Sequence, residues 1–501
     1  MGNLVIIELG VNEITFSKLK YSQNSFFVVE QQIKEPVKLI QDMERDGYIK
    51  PARINDTINI LKIFRRMIDA NGVENVICYV DPIISKARNQ IAFLDEIYKT
   101  VSLHFKILSP EDQITALHIA TSHTFAITKG VIIQICDNNM QLIQYNRRMV
   151  LQSDQLNFGA KNLSEMFANI SDPALKMDKM VDYATAELRK IKWLFELDPE
   201  GEFVGIGSIF ESLGVLARKS THYPLDIAHN YEISSNSFMS IFNLVRGLDI
   251  DKTKKLKGIS SMRADLVASG VAIVRAMYNV FVDKTIHVST NGEMYGIASK
   301  SLMAQIDKPL LDILGFSLSS INEFYPSPAN INGIYDLSII LYKQLKVLHR
   351  LNRSYVKILR IAASMCLSGS RISYENYEKN NFSVIVGSNI YGATHREILL
   401  AGFVASTQNP DNFNLSDWVR YKEIVQDEDV DAVKKLGILI KLATLLNATG
   451  SNAIKDITCD ILGDTVILKT EAEKDVTLEV SQAMQLADPF KKVFGKNLQV
   501  L

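Results

Sequence analysis

Several features that would place a chain quickly are missing from this one. Its four cysteines, Cys78, Cys136, Cys366 and Cys459, lie far apart and form no CxxC pair. That spacing excludes a disulfide framework and a cysteine-based metal cluster, and reads as buried free thiols in a reducing compartment. No uninterrupted apolar run approaches the roughly 18 residues needed to span a bilayer. A strand-like run begins within three residues of Met1, with no charged leader before it, so no secretory signal is expected. Met1-Gly2 starts like a myristoylation site, but Ile6 stands where Ser or Thr is required. A cytoplasmic, soluble protein is the expectation. Charge of one sign is also lacking: 55 cations against 56 acids exclude a wholesale nucleic-acid or membrane-surface binder and leave only local charge to interpret. Low-complexity segments and short-period repeats are missing too.

What is present is a long globular chain. With 501 residues, 47% of them hydrophobic, two to four domains are expected. The runs Val5-Ile6-Ile7-Glu8-Leu9-Gly10 and Val131-Ile132-Ile133-Gln134-Ile135-Cys136 read as strands, each opening an α/β segment. Asp56 to Ala70 sets Ile60, Leu61, Phe64, Met67 and Ile68 at helical spacing, stops at Asn71-Gly72, and leads to the strand Val76 to Val80. Ala87 to Tyr98 is a second amphipathic helix. Asp137-Asn138-Asn139 between Val131–Cys136 and Met140–Tyr145 is a hairpin signal, and a long helical region is expected from there through Leu194. Phe203 to Ser208 reads as a strand ending in a glycine turn. Two α/β units each opening with a hairpin suggest the duplication of the actin and hexokinase-like fold. Beyond Pro326 and Pro328 the pattern turns helical to about residue 425, followed by the helix Val433–Leu446 and short strands at Thr465–Lys469 and Val476–Val480.

In order, these pieces resemble the exopolyphosphatase and guanosine pentaphosphate phosphatase family over essentially the whole length. The resemblance is carried by Ile60 to Val80 with Ala87-Arg88-Asn89 and Phe93-Leu94, by Leu156-Asn157-Phe158-Gly159-Ala160 with Glu165, and by Arg263-Ala264-Asp265 with Gly270. Val288-Ser289 with Gly292 and Gly296, and the ending Phe490 to Leu501, follow in the same order. The implied fold is α/β, with duplicated actin-like (ribonuclease H-like) domains followed by a helical HD-like domain and a small α+β C-terminal domain. The implied boundaries are 1–127, 128–305, 306–430 and 431–501.

The departures bear on chemistry. Such enzymes carry Asp-Leu-Gly-Ser-Asn on the first strand, where this chain has Glu8-Leu9-Gly10-Val11-Asn12, and Asp-Ile-Gly-Gly-Gly-Ser on the second, where it has Gln134-Ile135-Cys136-Asp137-Asn138-Asn139. Glycines let backbone N–H groups approach phosphate oxygens, and their loss removes that approach. The family's water-activating carboxylate falls on Asp112 or Gln113, and only Asp112 can accept a proton. The third phosphate loop keeps Gly207 with Ser208, and the arginine expected before Ala87 falls on Ser85. The HD metal positions fall on Cys366-Leu367 and Tyr377-Glu378-Lys379-Asn380, which leaves no metal ligands there.

The resemblance therefore implies Asp112 and Glu8 as catalytic groups, Glu8 also as the ligand of Mg²⁺ or Mn²⁺, and Gly10, Asn12, Gly207 and Ser208 as phosphate contacts. It implies hydrolysis of terminal phosphate from polyphosphate or guanosine pentaphosphate at weakened rate, in a homodimer. The alternative is a catalytically inactive polyphosphate- or nucleotide-binding scaffold. For Glu8 and Asn12 the plain reading is a capped strand end, and for Asp137 to Asn139 a simple turn. His118 and His123, five apart, read as ordinary surface or half-buried histidines. Between Asp336 and Glu375 no acidic residue occurs, while Lys343, Lys346, Arg350, Arg353, Lys357 and Arg360 recur at helical spacing opposite Leu345, Leu348 and Leu359. On one helix they form a basic stripe suited to a polyanion, against the plain reading of a solvated face. Lys252, Lys254, Lys255, Lys257 and Arg263 make a weaker second patch.

Overall fold

A computed structural model describes residues 1–22, 26–40, 43–147, 149–198, 200–256, 259, 264–281, 284–302, 310–326 and 330–501. Lys257, Arg263 and Pro328, the side chain of Asp265, and the expected boundary at 305/306 lie outside the described residues. The chain divides into two compact units, one of Met1–Thr221 with Ala228–Ile313 and one of His222–Ile227 with Leu314–Leu501.

The first unit holds two sheets. The strands of the first are β1 (Gly2–Leu9), β2 (Glu13–Tyr21), β3 (Val28–Pro36), β4 (Asn75–Val80) and β5 (Phe105–Ile107), in the order β3-β2-β1-β4-β5. The second contains β6 (Lys129–Ile135), β7 (Met140–Asn146), β8 (Met149–Leu156), β9 (Glu202–Ile206), β10 (Tyr231–Ile233) and β11 (Ile286–Ser289), in the order β10-β11-β9-β6-β7-β8. Each sheet starts with an antiparallel hairpin and continues with parallel strands, β1 beside β4 and β6 beside β9 beside β11. This is the duplicated α/β pattern expected from the sequence. The inner strands are apolar because helices or turns cover both faces; Val5, Ile6, Ile7, Ile132 and Ile133 are fully buried.

Two expectations fail here. The stretch after β7 is not all helical, because Met149–Leu156 forms the outermost strand of the second sheet. Its residues are almost all exposed, so no apolar alternation marks it. His118 and His123 are buried in the helix Pro110–Thr124, at 9% and 5% exposure, rather than lying on the surface.

That burial has a cost in acid. Desolvation, with a smaller contribution from the charge of His118, pushes His123 down to about 4. Between pH 6.5 and 4 the unfolded chain binds a proton that the folded chain does not, so stability falls as pH falls through that window, by about 3 kcal/mol for this group. Thermal melts of the parent from pH 7 to 4 should show this acid limb, and His123→Gln should flatten it.

The second unit is helical, with a three-stranded sheet β12 (Ile454–Leu462), β13 (Thr465–Ala472) and β14 (Asn497–Val500) at its end. Its core runs from Leu314 to Val500 around the helices Tyr355–Met365, His395–Ser406 and Asp429–Leu445. Val476–Val480 was expected as a strand and is instead the start of a helix, Thr477–Met484. Just before that helix the Asp475 carboxylate accepts the Thr477 N–H at 3.0 Å, in a turn that leads into it.

Candidate functional site

In an open α/β sheet, ligands collect beyond the carboxyl ends of the parallel strands. At those ends in the first unit sit Gly10 after β1, Asp81 after β4, Cys136 after β6, Gly207 after β9 and Thr290 to Gly292 after β11. The two hairpin turns meet: the Asn12 side-chain amide donates to Asp137 Oδ2 at 2.7 Å. Gly207 has φ +99°, and among the described residues nothing lies within 4 Å of where a Cβ would stand. The residue is glycine for conformation, and the space over it is open. It caps the helix Ser208–Ser220.

The turn after β6 is held in place by the next helix. Ala160 and Lys161 N–H groups donate to the carbonyls of Cys136 and Asp137 at 2.9 and 2.8 Å. A Cβ on Gly159 would stand 2.2 Å from the Cys136 carbonyl oxygen, so Gly159 permits this close docking. Asp137 to Asn139 is thus a turn held by the next helix.

Behind the turns lies a cluster of carboxyls and amides. Glu293, first residue of the helix Glu293–Leu302, accepts at Oε1 from Gln113 Nε2 at 3.2 Å and from Gln134 Nε2 at 3.3 Å. Gln141, paired with Gln134 across β6 and β7, donates to Gln113 Oε1 at 3.1 Å. Among the described residues, Gln134 Oε1, Gln141 Oε1, Asn139 Oδ1 and Asn291 Nδ2 are buried without a hydrogen-bond partner. Buried polar atoms normally find partners, so this concentration at one place marks a site that takes up water or ligand. Glu8 sits beside Tyr79 in the β1–β4 register. The two groups act on each other electrostatically, although the Tyr79 hydroxyl reaches no partner at good hydrogen-bond geometry.

Three carboxyls here, Glu293, Glu8 and Asp81, are harder to ionise than usual. Desolvation, then the Glu8 charge, pushes Glu293 up to about 8. Burial likewise raises Glu8 and Asp81, with like charges adding to it. Asp112 is different. It accepts from Lys106 at 2.6 Å and Lys300 at 3.5 Å, and the Lys106 hydrogen bond holds it below the ordinary carboxylate range, which makes it a weak proton acceptor. Gln113, not Asp112, reaches the cluster. Sequence reasoning missed Glu293 altogether; the available signal was an acid directly after Asn291-Gly292, just beyond a strand.

Other motif residues have structural work. Asn89 pairs with both backbone groups of Ile49 at 2.9 Å, and Glu165 is exposed beside Lys161. Lys252 and Lys254 pair with Asp249 and Asp251, which neutralises much of the weaker basic patch.

In the second unit the expected basic helix is broken. The helix Ile331–Gln344 ends, Lys346–His349 is a single turn, Arg350 takes φ +54°, and a new helix begins at Tyr355. Lys357 pairs with Glu397 at 2.7 Å, and Arg360 lies over the Tyr335 ring. Lys343, Lys346, Arg350 and Arg353 are exposed, and no ion pair forms to them among the described residues. At the expected HD positions, Lys441 donates to Glu378 Oε1 at 2.8 Å and to the Tyr377 hydroxyl at 3.4 Å, while Asn381 Nδ2 donates to the carbonyl of Cys366 at 2.6 Å.

Fold and site together define a two-sheet α/β protein of actin-like type with a polar cluster at its strand ends. The sequence profile of the Ppx/GppA phosphatase family matches residues 20–303, and the chain belongs to that family. The "Bifunctional 3-dehydroquinate synthase/phosphatase" of Fusobacterium nucleatum is 21% identical over 281 residues, 52% of this chain and 40% of that protein. The match thus spans well under half of that relative. The "Putative exopolyphosphatase" of Haemophilus influenzae is 19% identical over 280 residues, 56% of this chain and 84% of that protein. Among solved structures, an Aquifex aeolicus Ppx/GppA family member has TM-score 0.55 at 18% identity, covering 61% of this chain and 99% of that one. An exopolyphosphatase from Cytophaga hutchinsonii has TM-score 0.54 at 17% identity, covering 60% and 98%. At such identities the likeness shows the fold.

Phosphatases of this kind imply a divalent metal. The described residues offer no group of three or more His, Cys, Asp or Glu able to hold one. Asp137 is tied to Asn12, Asp112 to two lysines, and Glu293 to two amides. The protein-side ligand set does not fit a preformed Mg²⁺ or Mn²⁺ site. No helix among the described residues is long and apolar enough to cross a membrane.

Proposed function

We propose that this chain hydrolyses a terminal phosphoanhydride, of polyphosphate or guanosine pentaphosphate, in the cleft at the strand ends of its first unit. The observation that carries the reading is the cluster of unpartnered buried polar atoms around Glu293, at the strand ends where such a fold takes its ligand. Gly10, Asn12, Gly207 and Ser208 are the phosphate contacts of this reading; Gly207 has the open space for it. Glu8 orients the cluster, and Asp112 sets Lys106 and Lys300. Turnover is weak, because removing even one preorganised donor typically costs about 100- to 1000-fold and the glycine loop after β6 is gone. The second unit is read as an HD-like helical domain and a small α+β domain, with the four-domain boundaries given above.

The test is phosphate release from long-chain polyphosphate, guanosine pentaphosphate and a simple phosphomonoester, with Mg²⁺ or Mn²⁺ present. Release from a polyphosphate or pentaphosphate terminus, with no monoester hydrolysis, is expected. Monoester hydrolysis alone would sink the reading.

The exposed cations of the second unit supply a polyanion-attracting potential that salt screens. Lys357 belongs to an ion pair, so the informative variant is Arg350→Glu with Arg353→Glu. Polyphosphate binding by this variant, measured by titration at low ionic strength, should fall at least tenfold. Its melting temperature should stay within a degree or two, since exposed charges contribute little to folding.

A further inference from the structure

Gln113 and Gln134 can donate and accept hydrogen bonds but cannot take a proton at neutral pH. Among the described residues, the carboxyl hydrogen-bonded to both is Glu293, through Oε1. Its other oxygen has no hydrogen bond to these amides. Gln141, only 4% exposed, leaves its Oε1 unpartnered in the same cluster, and Gln134 does likewise. The arrangement therefore combines a proton acceptor with amide acceptors that lack donors. A water molecule has two donors, one for the carboxylate and one for either of these amide oxygens.

We propose that Glu293 is the general base of this site, taking one proton of the attacking water while the amide oxygen of Gln134 or Gln141 holds the other. The assignment rests on the hydrolase reading above. In the step, a water lone pair forms a bond to the terminal phosphorus as one water proton passes to the Glu293 carboxylate. The bridging P–O bond breaks, and its electron pair leaves with the oxygen of the shortened chain. Glu293 then releases the proton to solvent. The glutamine amides keep Glu293 aimed, so a carboxylate on the helix Glu293–Leu302 does what the side chain of Gln113, on the neighbouring helix, cannot.

The groups facing Glu293 are Glu8 from β1, Tyr79 from β4 and Asp81 from the turn that follows, all acidic; on the neighbouring helix, Asp112 is occupied by Lys106 and Lys300. Negative surroundings and burial both favour the protonated form, so the rate should climb with pH through neutrality and level off near 8.

The experiment uses the full chain, long-chain polyphosphate and Mg²⁺, and measures kcat, polyphosphate Kd and the pH–rate profile. Glu293→Gln should lower kcat at least about 100-fold, the range expected for a lost general base, with Kd within threefold. The exchange variant, Gln113→Glu with Glu293→Gln, keeps the hydrogen bond while moving the carboxylate, and should recover at least tenfold of the loss. A Glu293→Gln protein with parental kcat and pH profile would overturn the base and leave the hydrolase standing. A folded parent that releases no phosphate would overturn both.

Discussion

Gly296→Ala should cost this protein more stability than any other single methyl group considered. The helices Pro110–Thr124 and Glu293–Leu302 cross so closely that a Cβ at residue 296 would stand 1.9 Å from the Ala116 carbonyl oxygen and 2.4 Å from its carbon. Those atoms are backbone and cannot swing aside. Alanine gains about 1 kcal/mol of helix propensity over glycine. Forced overpacking costs about 1–3 kcal/mol and more where backbone must move. The second effect wins because the obstructing atoms are backbone, with a net loss of about 1–2 kcal/mol and a fall in melting temperature on the order of 2–4 °C. Gly247→Ala is the control, since nothing lies within 4 Å of its added methyl. Activity should fall with the first variant too, because Glu293 is one helical turn from the contact and would be drawn off Gln113. Equal melting temperatures for the two variants would mean that the helices do not approach as described.

Glu293→Gln should make the fold more stable, and only at neutral to alkaline pH. Burial raises the Glu293 carboxyl from 4.5 to about 8. Between those values the folded protein holds a proton that the unfolded chain has released, so the folded state loses stability as pH rises through the window. An amide of the same shape does not titrate. After discounting for partial exposure, the gain at pH 8 is about 2–4 kcal/mol, and near pH 4.5 it vanishes. Melting curves of parent and variant should therefore meet near pH 4.5 and separate by several degrees at pH 8. A variant less stable at both pH values would show that the carboxyl is not strained by its surroundings. Gain of stability with loss of catalysis is the pattern expected of a group retained for chemistry.

The sheets were legible because β1 and β6 are apolar runs covered on both faces, and because Asn71-Gly72 and Asp137 to Asn139 are strong punctuation. β8 was not, since nearly every residue on it faces solvent and an edge strand needs no apolar alternation. Val476–Val480 looks like a strand by its β-branched valines, whereas the Asp475 turn before it leads into a helix. The basic stripe was drawn on one continuous helix, and no local signal in Lys346 to Asn352 announced the left-handed Arg350. At the site, the sequence pointed to Asp112 or Gln113 and to Gln134 as the positions that depart from the family pattern, and it favoured Asp112, which the structure ties to Lys106 and Lys300. It could not show that Gln113 and Gln134 converge on Glu293, because that convergence depends on two helices meeting at Gly296, far apart in the chain.

The measurement that bears most directly on the central claim is the steady-state kcat for phosphate release from saturating long-chain polyphosphate with Mg²⁺ at pH 8. The cleft described here predicts terminal release that is measurable above the enzyme-free rate but well below the roughly 10 s⁻¹ of an ordinary enzyme. Turnover at or above that rate would contradict a site weakened by the loss of its glycine loop, and no release from well-folded protein would contradict a hydrolase.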